Sequence, residues 1–105
     1  MSPIPSHATA VLSVYYPRGE KFDMDYYLQK HMAVCAKEWG SALLGYTVST
    51  FAEGEYSVVT QIFWESKETL GAALGSSGTA NVMGDIANFT DVKPTTAIGS
   101  LVARS

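Results

Sequence analysis

Residues 23–40 read DMDYYLQKHMAVCAKEWG. The stretch opens on Asp23, whose carboxylate can accept the free amides of a first helical turn. It runs from Met24 to Trp39 without Gly or Pro and stops at Gly40. The spacing predicts a helix. Tyr27, His31, Cys35 and Trp39 recur at intervals of four with Met24 and Leu28 beside them, while Asp25, Gln29, Lys30, Lys37 and Glu38 fall mostly elsewhere. A helix with one such stripe has to lay it on something apolar, and the flanking sequence supplies strands.

Upstream, residues 8–16 are rich in β-branched and aromatic side chains and end at Pro17-Arg18-Gly19, which predicts a first strand. Ala10, Leu12, Val14 and Tyr16 alternate with Val11, Ser13 and Tyr15, so both faces are largely apolar. Downstream, residues 43–51 and 56–64 are two more β-rich runs joined by Ala52-Glu53-Gly54-Glu55, a hairpin connection whose Gly can take positive φ. Ser66 can cap a second helix over 67–74. Gly75-Ser76-Ser77-Gly78 interrupts it before a weaker helical stretch at 80–86, and residues 96–102 read as a last strand.

The order β, α, β, β, α, β is the split βαβ, or ferredoxin-like, arrangement of the α+β class: a four-stranded antiparallel sheet with its helices on one face. The second face is then bare. Tyr56, Val58, Ile62 and Trp64 alternate with Val59 and Phe63, so that face is expected to be an apolar patch covered by a second copy in a homodimer. The 105 residues are read as one domain, 1–105, with 1–7 as a flexible leading segment.

Composition narrows the function. Only 16% of residues are charged, against roughly 25% in an average globular domain, which suggests additional buried surface. A net charge of -3 with basic residues scattered from Arg18 to Arg104 argues against nucleic-acid binding. The single cysteine permits no internal disulfide, and neither a basic leader nor a membrane-length apolar run is found, so a cytoplasmic protein without membrane association is expected.

His31 is the leading candidate for chemistry, because imidazole exchanges a proton near neutral pH and the stripe points it at the sheet. Tyr27, one turn earlier, is placed to bond it or a substrate oxygen. The competing reading makes His31 a satisfied core histidine. Tyr16, Cys35, Trp39 and Phe63 are the expected substrate-binding residues of an apolar pocket, with Cys35 acting as a small hydrophobe rather than a nucleophile. His7, close to the terminus, is expected to be solvated, and Asp23 and Asp25 are explained by capping and the helix dipole. Two histidines separated by a strand and a loop do not make a metal site, and no phosphate loop, dinucleotide fingerprint or nucleophile elbow occurs, so neither metal nor cofactor is expected.

Phe22-Asp23-Met24-Asp25-Tyr26-Tyr27 followed by Lys30-His31-Met32, and Asn88-Phe89-Thr90-Asp91 leading to Pro94, resemble the EthD-like proteins of the dimeric α/β-barrel superfamily. The resemblance runs from Val11 to Gly99, and the Tyr-Tyr-x-x-x-His spacing is its most specific part. It implies a ferredoxin-like subunit that pairs through its sheet into a barrel, with a cleft between sheet and helices. The family's usual proline two residues after the histidine is Ala33 here, so a straighter helix is expected. Superfamily relatives include cofactor-free monooxygenases, muconolactone-type isomerases and polyketide cyclases acting on small apolar, often aromatic molecules, and EthD-like proteins are associated with ethyl tert-butyl ether degradation. The resemblance therefore implies a cofactor-independent enzyme using His31 to move a proton in a catabolic or secondary-metabolic pathway. The alternative is a non-catalytic small-molecule binding or accessory protein of a degradation pathway.

Overall fold

A computed structural model describes residues 5–103. Strand β1 (Ala10–Pro17) leads to a helical segment built in three pieces: α1 (Met24–Tyr26), a π turn (Tyr27–His31) and α2 (Met32–Trp39). The hairpin strands β2 (Gly45–Thr50) and β3 (Tyr56–Trp64) follow, then α3 (Lys67–Leu74), α4 (Thr79–Asp85), a 3₁₀ turn (Ile86–Asn88) and β4 (Thr95–Ser100). All neighbouring strands are antiparallel in the order β2-β3-β1-β4. This is the expected α+β ferredoxin-like arrangement. Part of the leading segment read as flexible, residues 1–4, lies outside the described residues, while His7 is exposed in the turn before β1.

Local chemistry accounts for the boundaries. Asp23 Oδ1 accepts the Tyr26 amide at 3.0 Å, and Ser66 Oγ accepts the Thr69 amide at 3.1 Å. Gly40 ends α2 at φ 56, and Gly54 turns the β2–β3 hairpin at φ 98, both in the region that side chains with a Cβ avoid.

The first helical segment departs from expectation. Even with Ala33 in place of proline, the regular ladder is broken: the Met32 amide bonds the Tyr27 carbonyl, five residues back. The wider turn brings residues four apart more nearly one above the other, and the Tyr27 and His31 rings stack at 5.3 Å and 18°. Both side chains are buried, at 1% and 3% exposure.

Strand register sorts the sheet into two faces. Leu12 pairs with Ile62 and Ile98, and Val14 with Thr60 and Thr96, toward the helices. Ser13 pairs with Gln61 and Ala97, and Val11 with Phe63, on the outer face. That outer face is less apolar than expected: Val11, Tyr15, Val59 and Phe63 share it with Ser13, Gln61, Thr47 and Thr95. The alternation in β1 and β3 is apolar on both sides, but β2 and β4, at the edges, contribute small and polar residues.

The loop after α4 is tied back to the start of α1. Phe22 and Thr90 form an isolated bridge, and the Asp23 amide bonds the Phe89 carbonyl at 2.8 Å. Phe89 is thereby held against Tyr16, Phe22, Tyr27 and His31 in one aromatic cluster.

Candidate functional site

Between sheet and helices lies a cavity of about 230 Å³. Its floor is Leu12, Val14, Tyr16 and Ile62, one wall is Tyr27, His31, Met32, Cys35 and Trp39, and the opposite wall is Leu74, Thr79, Val82, Met83 and Ile86. It exceeds the roughly 150 Å³ of an engineered apolar cavity known to hold a benzene, so one or two fused rings would fit.

Alternation in β1 and the four-residue stripe of the helix place the expected residues. Tyr16, Tyr27, His31, Cys35 and Trp39 are all brought to this cavity, and Phe63 is not. Pairing with Val11 and Gly45 turns Phe63 to the outer face of the sheet, where it is 2% exposed but on the wrong side to meet a ligand here.

His31 is held by a residue that the sequence reading did not single out. Asp85, the last residue of α4, accepts from His31 Nδ1 through Oδ2 at 2.9 Å. Its Oδ1 accepts from Tyr26 Oη at 2.6 Å and from Asn88 Nδ2 at 2.9 Å. Desolvation is the largest single influence on the Asp85 carboxyl and pushes its pKa up. The hydrogen bonds from Tyr26, Asn88 and His31 together outweigh it and hold the group below the usual carboxylate range. Asp85 is therefore ionised near neutrality and can only accept. That places the imidazole proton on Nδ1 and leaves Nε2 a bare lone pair, with no partner among the described residues.

Burial lowers the pKa of His31, and the bond and charge of Asp85 offset this only in part. The ring is consequently neutral at physiological pH and able to accept a proton. Burial pushes the Tyr27 hydroxyl up to about 12 although Thr60 and Tyr16 bond it, and it also raises Tyr16, so both phenols stay protonated. Burial pushes the Cys35 thiol up to about 12 as well, which makes it a poor nucleophile. Trp39 is fixed by its indole N–H donating to Thr79 Oγ1 at 3.1 Å. No group of three or more His, Cys, Asp or Glu side chains that could hold a metal ion occurs among the described residues.

Asp85 had one signal in the sequence: it is the acidic residue of a short helix otherwise made of small, apolar and amide side chains. Nothing local says that it meets a histidine 54 positions away.

No family model matches the sequence, and no curated protein matches it either. Solved structures do. An EthD-like protein from Ralstonia eutropha is 31% identical over 93% of this chain and 96% of its own, with a TM-score of 0.81. The chain belongs to the EthD-like family. An EthD family protein from Bacillus halodurans shares the EthD-like fold at a TM-score of 0.72 and 17% identity, covering 90% of this chain and 99% of its own. SnoaB from Streptomyces nogalater, a cofactor-independent oxygenase, shares it at a TM-score of 0.61 and 14% identity over 93% and 94% of the two chains. At those identities the likeness speaks for the fold. The described residues of this EthD-like chain include no helix long and apolar enough to cross a membrane.

Proposed function

We propose that this EthD-like protein is a cofactor-independent enzyme that removes a proton from a small apolar or aromatic compound, with His31 as base. The observation that carries the reading is an imidazole in an apolar cavity whose Nδ1 is committed to Asp85 and whose Nε2 is uncommitted. A weakly acidic C–H or O–H of the bound compound gives its proton to Nε2, and the Asp85 carboxylate steadies the imidazolium that forms. Tyr27, protonated and one turn away, would donate to the oxygen on which negative charge collects by giving up its bond with Thr60. The cofactor-independent oxygenase chemistry of SnoaB, on the same fold, supports this class of reaction. A catabolic or secondary-metabolic step, of which ethyl tert-butyl ether degradation is one kind, suits the cavity. The domain 1–105 working in the cytoplasm, and as a homodimer joined through the half-buried Val11, Tyr15 and Val59 of the outer sheet face, completes the reading.

The test is α-proton exchange of 2-tetralone, an enolisable two-ring ketone, followed in D₂O by NMR. The protein should accelerate deuterium uptake, His31→Ala should lose on the order of 10²-fold of that acceleration, and Tyr27→Phe should lose less. Binding without acceleration, at an affinity flat across the histidine titration range, would instead establish a carrier. The mostly apolar walls of the cavity are what favour that second reading.

A further inference from the structure

The cavity is not sealed all round. Met83, Ile86 and Pro94 line it from within, and the same residues line a separate open groove on the outer surface. They are thus the partition between the two. Met83 is 56% exposed although it borders the apolar interior, and an unbranched thioether side chain adapts its shape more readily than any branched one. The charged residues of the outer groove are Lys21, Lys93 and Asp91. Asp91 Oδ1 is already engaged by the Lys21 backbone amide at 3.2 Å, whereas neither lysine side chain has an ion-pair partner among the described residues. Two lysines against one aspartate leave the groove with a net positive charge on a chain of net charge -3.

We infer that substrate enters past Met83, and that it is an amphipathic anion: an apolar ring body seated beside His31 and a carboxylate left in the outer groove between Lys21 and Lys93. The inference rests on the cavity being the substrate site. It adds the substrate's charge and its direction of entry. A ring in contact with His31 and a carboxylate outside the partition satisfy the same geometry, because the cavity walls offer no cation to pair a carboxylate indoors.

The probes are 2-naphthylacetate and its uncharged amide, 2-naphthylacetamide, titrated by calorimetry at low and high salt. The acid should bind about three- to tenfold tighter than the amide at low salt, the preference expected of two exposed charge contacts. It should shrink at high salt and vanish in the Lys21→Gln/Lys93→Gln double variant, whose amide affinity stays unchanged. Met83→Trp, which fills the partition, should slow association of both probes. Equal affinity of the two probes, or a preference that survives the double variant, overturns the carboxylate assignment while leaving the cavity as the binding site. Unchanged association in Met83→Trp overturns the entrance. Failure of either probe and of 2-tetralone to bind overturns the cavity and the inference together.

Discussion

Replacing Asp85 by asparagine should move the proton on His31 from one nitrogen to the other. The carboxylate receives three donors: Tyr26 and Asn88 on Oδ1, and His31 on Oδ2. An amide offers one acceptor oxygen. Directed at Tyr26 and Asn88 it keeps two bonds; directed at His31 it keeps one, so the first arrangement prevails. The amide NH₂ then faces Nδ1, which must become the acceptor, and the proton shifts to Nε2. All three charge-assisted bonds become neutral, a loss of about 2–3 kcal/mol, or roughly 10–20 °C in Tm for a domain of this size. The consequence for the base is larger. With Nε2 protonated it has no lone pair for a substrate, and proton exchange should fall on the order of 10²-fold or more. The bond to Asp85 and its charge are also the two influences that raise the pKa of His31, so the variant should titrate lower still. Long-range ¹H–¹⁵N correlation spectra of the imidazole report both quantities across a pH series. A wild-type ring protonated on Nε2 at neutral pH, or a variant pKa that rises, would refute the argument.

Other outcomes follow from the same structure. His31 is depressed below its unfolded value of about 6.5, so the unfolded chain takes up that proton first. Stability should therefore fall as pH drops below about 6.5 and level off below the folded pKa, a dependence that denaturant midpoints measured in wild type and His31→Gln would isolate. If His31 is the base, kcat/KM should rise with pH through a midpoint below about 6.5 and then stay level. Gly40→Ala should destabilise by about 2–3 kcal/mol in urea unfolding: no atom lies within 4 Å of the added Cβ, so the cost is the backbone alone, held at φ 56 and ψ -135 where a Cβ is strongly disfavoured. Cys35, with its thiol pushed up to about 12, should react with iodoacetamide far more slowly than a free thiol, and more slowly again with 2-tetralone bound; mass spectrometry against time would show it.

Much of the fold is legible in the sequence because its signals are local. Asp23 and Ser66 mark helix starts, Gly40 a stop and Gly54 a hairpin, and each does its work within a few residues of itself. Alternation likewise separates Phe63 from Ile62. It does not say which set meets the helices, because that depends on register with β1, a pairing across the chain. For that reason the sequence groups Phe63 with the pocket residues, although it lies behind the sheet. Asp85 was invisible for a related reason: its role exists only where α4 crosses the end of the π turn. The π turn itself rests on a choice between carbonyl partners that no side chain of Leu28, Gln29 or Lys30 announces.

That irregular turn also bears on any attempt to make the protein more robust. Idealising residues 24–39 into an uninterrupted α-helix is a common route to a higher melting temperature. Here the gain would come with a rotation of Tyr27 relative to His31, undoing the ring stack and swinging Nδ1 off Asp85. Robustness engineering would do better to leave this helix out of step and to work on α3 and the exposed edge of β4.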